Sequence, residues 1–175
     1  LRKAREAGVP GAATFQLLLG SEFEVDDPVP FKLVVLACHR IGYGLLCEFI
    51  TQLRRGALGK GQATLWRRDI RAAELGDCVV LLRPRRGASH AELLDQATWL
   101  QRHFRGRCWL VAELHHTLDD AAWLRTLRTV AEAAHLPLVA AGDVRMHVRS
   151  RQPMRDVLTA IRLGKPLSEC GLALD

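Results

Sequence analysis

Short apolar runs alternate with helix-patterned segments from one end of the chain to the other, and this alternation limits the fold more than any other feature. The runs cover residues 15–19, 32–37, 78–82, 108–112 and 136–141, each rich in Val, Leu or Phe and apolar on both faces. Parallel strands covered by helices have this composition, so the pattern predicts an α/β fold with about five parallel strands. The helices are marked by their punctuation. Ser89 with Glu92, and Thr117 with Asp120, form capping signatures ahead of helices at 93–104 and 121–134. Pro153 opens a further helix that Gly164 and Pro166 stop, and residues 43–55 form another that Gly56 ends. Asp26-Asp27 with Pro28 and Pro30 reads as a turn, and the Gly/Lys-rich stretch between Gly56 and Trp66 as a surface loop.

A βα unit takes about 30 residues and a complete eight-unit barrel about 250. The 175 residues therefore hold fewer than six units, and a barrel built from them is an incomplete one. No internal repeat or low-complexity linker divides the chain, which reads as one domain over 1–175. At 49% hydrophobic and 25% charged residues, the composition excludes a disordered or fibrous chain. The longest apolar runs fall far short of the roughly 18 residues that a membrane helix needs, so no membrane role is expected. The chain opens on Leu1 with no leader-like segment and reads as a piece of something longer. Cys38, Cys47, Cys78, Cys108 and Cys170 are scattered and form no C-x-x-C pair, which suits free buried thiols in a reducing cytoplasm. The net charge of +6 rests on arginine far more than lysine and suits phosphate-bearing partners without specifying one.

In parallel α/β folds ligands gather at the carboxyl ends of strands, and polar residues collect there in this sequence. The first run leads into Gly20-Ser21-Glu22, the second into Cys38-His39-Arg40, the fourth into Glu113-Leu114-His115-His116, and the fifth into Gly142-Asp143-Val144-Arg145-Met146-His147. Carboxylates and imidazoles from several strand ends converging on one face would make a divalent metal site. Taken singly, Glu22 and Asp143 read equally as helix caps or loop hydrogen bonders, and His115-His116 as a solvated pair. His39, His90, His103 and His135 read as surface or helix-end histidines. No G-x-S-x-G elbow, Walker A loop or H-E-x-x-H helix is present.

The run from Val139 through Ala-Ala-Gly-Asp-Val-Arg-Met-His-Val-Arg-Ser to Arg151, with residues 156–166 and Glu169-Cys-Gly171 after it, resembles the end of the PHP domain of bacterial C-family DNA polymerases, the DNA polymerase III alpha subunit type. Within that family it is most similar to the error-prone, DnaE-type branch. Gly20-Ser-Glu-Phe23, the segment 33–51 and Trp109-Leu-Val-Ala-Glu-Leu-His115 match the same family in the same order, so the resemblance covers essentially the whole chain.

The resemblance implies a partial, distorted (β/α) barrel whose metal ligands come from strand ends, the family's H-x-H strand being absent. Glu22 and Asp143 match acidic ligands, with His115 a third candidate, for Zn or Mn. Arg145 stands where the family's D-x-H pair has its His. An arginine offers no lone pair to a metal and repels one, so the resemblance implies a degenerate site that acts as a scaffold. It further implies a parent DNA-directed DNA polymerase, a cytoplasmic nucleotidyltransferase using Mg, which takes part in DNA replication, DNA repair and translesion synthesis after DNA damage. DNA, a sliding clamp and accessory mutagenesis proteins would be its partners, with Arg149 and Arg151 as phosphate contacts. No catalytic residue is assigned within these 175 residues. The alternatives are an active metal-dependent phosphoesterase or 3'-5' exonuclease, and a protein-interaction module. An open barrel also exposes strand edges, so self-association is expected.

Overall fold

The structure, a computed structural model, describes residues 2–12, 14–57 and 63–174, without the side chain of residue 172. Much of the Gly/Lys-rich loop expected between Gly56 and Trp66, namely residues 58–62, lies outside the described residues. The chain forms two compact units, Leu1–Ala140 and Ala141–Asp175.

The first unit is built on a mixed sheet in the order β1 (Gly20–Val25), β2 (Phe31–Ala37), β3 (Cys78–Arg83), β4 (Cys108–Glu113) and β5 (Leu138–Ala141). A short helix α1 (Arg2–Glu6) precedes it, and α2 (Arg40–Arg55), α3 (His90–His103) and α4 (Asp120–Ala133) are interleaved with the strands. The α/β class and the number of strands agree with the sequence reading, although β1 lies outside the expected runs, and the sheet is open rather than closed into a barrel.

Strand direction departs from the expected parallel set: β1/β2 and β2/β3 are antiparallel, and β3/β4 is parallel. The turn at residues 26–30 is too short for a parallel crossover, which needs a dozen or more residues, so it reverses the chain. The apolar run 15–19 is also not a strand. The register of β1 against β2 begins with Gly20 opposite Leu36, and β2 ends one residue later, so nothing is left for the upstream residues to pair with. A single backbone bond from the Ala37 N–H to the Leu19 carbonyl, at 2.9 Å, ties down the end of that run. Phe15, Leu17 and Leu18 are exposed.

The two faces of the sheet differ sharply. On one face Phe23, Leu33, Leu82 and Leu110 lie in one row across four strands, with Val35, Val80 and Cys108 in the next, all buried. The helices cover this face with apolar residues at helical spacing: Leu46 and Phe49 of α2, Leu93, Ala97 and Leu100 of α3, and Leu127, Val130 and Ala131 of α4. On the other face the corresponding rows are Glu22, Val34, Leu81 and Trp109, then Glu24, Lys32 and Arg83. These are half-buried or exposed. A strand alternates sides residue by residue, so this second face is apolar in its middle and ionic at one end.

Local signals place the helices. Ser89 accepts a hydrogen bond from the Glu92 N–H at 3.3 Å while Glu92 accepts from the Ser89 N–H at 2.7 Å, completing the expected capping box. At α4 half of the expected box forms: the Asp120 carboxylate accepts from the Thr117 N–H and hydroxyl, and Asp119 is the capping position. Gly42 lets α2 lie against the turn before β3, where an added Cβ would fall 2.1 Å from the Asp77 carbonyl oxygen. The thiols of Cys78, Cys108 and Cys170 are buried and free as expected, whereas Cys38 and Cys47 are free but exposed. Among the described residues no helix is long and apolar enough to cross a membrane.

The second unit carries α5 (Gln152–Leu163), entered through Pro153 and stopped by Gly164 in the left-handed conformation at φ 63°, as the sequence reading expects. Met154, Val157, Leu158 and Ile161 form an exposed apolar stripe along it.

Candidate functional site

The ionic end of the open sheet face is the site with most chemistry. Glu22 sits in the middle of β1 rather than at a strand's carboxyl end, and its side chain points to the open face. One carboxylate oxygen accepts from Lys32 Nζ at 2.6 Å and the other from an Arg83 guanidinium nitrogen at 3.0 Å. Arg83 Nε reaches Glu113 at 2.8 Å, and the second Glu113 oxygen lies 3.8 Å from His115 Nε2. Arg83 and Glu113 are well shielded, with side chains 18% and 14% exposed. Four strands thus contribute to one chain of contacts from Glu22 to His115. A cleft of about 390 Å³ opens beside it, lined by Glu24, Lys32, Arg83, Arg85, Glu113 and His115 among others.

The cleft's far wall is held by Arg86, whose guanidinium pairs with Asp119 at 3.1 Å and with Asp120, and lies 5.9 Å from the ring centre of Trp123. Burial pushes the Asp120 carboxyl up, but the Thr117 donors and Arg86 outweigh it and hold the group at about 2, against an ordinary 3.8. A depressed carboxyl adds stability that is fully present above 3.8 and is lost as pH falls toward 2. Asp120→Asn is therefore expected to lower the melting temperature near neutral pH, with the gap to wild type closing as acid protonates the native carboxyl. A gap that stayed constant down to the acid end would show that the charge is not its source.

Glu22 and His115 are brought into the same ionic chain, although they do not touch. Asp143 belongs to the second unit. It follows β5 with φ at 44°, and its carboxylate accepts from Arg145 at 2.9 Å. Arg149 and Arg151 form an exposed 3-10 turn before α5, and neither makes an ion pair among the described residues. His147 is exposed there too, as His116 is in the first unit. His39, His90, His103 and His135 are all exposed at helix ends, as expected.

These residues do not fit a divalent cation. Both oxygens of Glu22 and one of Asp143 are engaged by cationic side chains, and no group of three or more His, Cys, Asp and Glu side chains converges among the described residues.

No family model matches the chain. Curated relatives do. An error-prone DNA polymerase of Azoarcus is 46% identical over 167 residues, covering 93% of this chain. Its counterpart in Methylococcus capsulatus is 44% identical over 160 residues and covers 91%, and that of Bordetella parapertussis is 39% identical over 184 residues and covers 98%. The chain is homologous to a segment of the error-prone DNA polymerases. It spans only 15% to 17% of the length of these polymerases.

Within the chain, the residues that the sequence pattern passes over are Lys32 and Arg83. Each is a lone cation at the end of an apolar strand, and strand parity places both on the face that carries Glu22. That parity was available in the sequence; the register that sets them side by side was not.

Proposed function

We propose that this chain is the PHP portion of an error-prone DNA polymerase and serves it as a scaffold that binds no metal. The similarity along the chain supports the polymerase assignment. The observation that carries the scaffold reading is that the carboxylates matching the family's ligands, Glu22 and Asp143, are each paired with a cation of this chain. An acid so paired neither recruits a cation nor activates water for phosphoester hydrolysis.

On this reading the parent chain carries out templated nucleotide addition in replication and across damaged DNA, with Mg at aspartates outside these residues. Arg149 and Arg151 contact phosphates. A sliding clamp and accessory mutagenesis proteins are further partners. The test uses the polymerase with its flanking coding sequence restored. Glu22→Gln and Asp143→Asn should leave primer extension within about twofold of wild type, and no Mn- or Zn-dependent phosphoesterase activity should appear. Metal-dependent hydrolysis that Asp143→Asn abolishes would overturn the scaffold reading, and failure to extend a primer would overturn the polymerase one.

A further inference from the structure

The second unit leaves one face of α5 uncovered. Met154, Val157, Leu158 and Ile161 recur at the spacing of a single helix face and are 49% to 70% exposed, while Ala160 is the one buried residue of the helix. A groove of about 470 Å³ runs beside this stripe, with Met146, Met154 and Leu158 in its lining. Four arginines also line it, and among the described residues no carboxylate does. Arg151, the phosphate contact proposed above, stands at the start of α5 and Arg162 in its last turn. Of the other two, Arg145 is paired with Asp143 and Arg155 donates to the Leu174 carbonyl at 2.6 Å, whereas Arg162 makes no ion pair among the described residues.

Apolar side chains at i, i+3, i+4 and i+7 are what another amphipathic element packs against, and arginines beside them select acids flanking that element's own apolar residues. A phosphate backbone would use the arginines and leave the four apolar side chains in water. The chain spans only 15% to 17% of the polymerases it resembles, so the greater part of such a molecule is on hand to cover the face. We infer that the α5 face docks an apolar, acid-flanked segment of the parent polymerase that lies outside these 175 residues, with Arg162 pairing one of its carboxylates. This deepens the scaffold reading by naming where the scaffold is held, and it rests on that reading. Two surfaces of one molecule meet at high effective concentration, so a stripe of four side chains is enough to hold them together.

The test compares the same variants in the 175-residue chain and in the polymerase with its flanking coding sequence restored. Leu158→Gln with Ile161→Gln should leave the melting of the 175-residue chain within about 1 °C of wild type, because both side chains already face water. In the restored polymerase the same pair should let limited subtilisin digestion release this segment about tenfold faster, since the fraction undocked rises with the apolar burial lost. Arg162→Glu should act in the same direction, and Arg162→Lys, which keeps the charge, should stay close to wild type. A clear fall in the melting of the 175-residue chain would place the stripe in that chain's own packing and overturn the inference. Unchanged digestion of the polymerase would overturn it too, and a primer–template complex weakened by the same variants would then give the face to DNA. Both results leave the polymerase reading standing while wild type extends a primer. A restored wild type that extends none would overturn the reading underneath.

Discussion

Arg107→Met is expected to lower the stability of the chain by about 3 kcal/mol, a fall of roughly 10 °C in melting temperature. One guanidinium donates to three backbone carbonyls, those of Ala72 at 2.8 Å, Cys78 at 2.9 Å and Leu75. Ala72 and Leu75 belong to the 3-10 turn that leads into β3 and Cys78 to β3 itself, while Arg107 immediately precedes β4. The side chain therefore fixes how β3 enters the sheet beside β4, and it also lies 5.0 Å from the ring centre of Phe104. Methionine keeps the aliphatic stem and its contact with the ring but offers no donors. The carbonyls would then have to find water in a half-buried turn, and a charged donor to a carbonyl is among the stronger hydrogen bonds. Lysine should recover only part of the loss, because a point charge cannot reproduce the fork that spans the three acceptors. Urea unfolding measures the effect, and a loss under about 1 kcal/mol would mean that water satisfies these carbonyls unaided.

Two glycines of α2 should respond in opposite directions to the same substitution. At Gly42 an added Cβ would meet the Asp77 carbonyl oxygen at 2.1 Å and its carbon at 2.9 Å, both backbone atoms that no side-chain rotation can move aside. The start of α2 would have to lift from the turn before β3, disturbing the bond from the Cys38 N–H to the Asp77 carbonyl at 3.1 Å and that from the Cys78 thiol to the Gly42 carbonyl at 3.4 Å. Gly42→Ala should cost about 3 kcal/mol. At Gly44, two residues on, nothing lies within 4 Å of the new methyl group, and the helix gains an alanine for a glycine. Gly44→Ala should stabilise by up to about 1 kcal/mol. Parallel urea titrations of the two variants test this, and equal effects would refute the close approach at Gly42.

The elements that the sequence made legible are those set by local chemistry. Ser89 with Glu92, Pro153 and Gly164 each fix a helix end through neighbours within a few residues, and the structure puts those ends where the pattern does. Strand runs over 32–37, 78–82 and 108–112 were legible because they are apolar on both faces. The run 15–19 shows the limit of that signal, since apolar composition does not supply a pairing partner and β2 is too short to provide one. Strand direction was also hidden, since apolar runs do not reveal which way they run. The candidate acids were legible through their resemblance to a family. Their pairing was not, because Glu22 and Arg83 are 61 positions apart and meet only through the register of three strands.

The two antiparallel pairings of β2 cost the unfolded chain very different amounts. The turn to β1 closes over five residues, 26–30, whereas the connection to β3 runs over forty, 38–77. Three doublings of loop length amount to roughly 2 kcal/mol of closure entropy. Of the two pairings, the β1/β2 hairpin is accordingly expected to form first, and the contact of Glu22 with Lys32 with it. By the same reckoning the connection from β3 to β4, residues 84–107, closes more cheaply than the forty residues before β3, so Arg83 is expected to meet Glu113 before it meets Glu22. The ionic chain across the sheet is thus laid down in the order of assembly, and its last link closes only when the parallel half of the sheet has joined the antiparallel half.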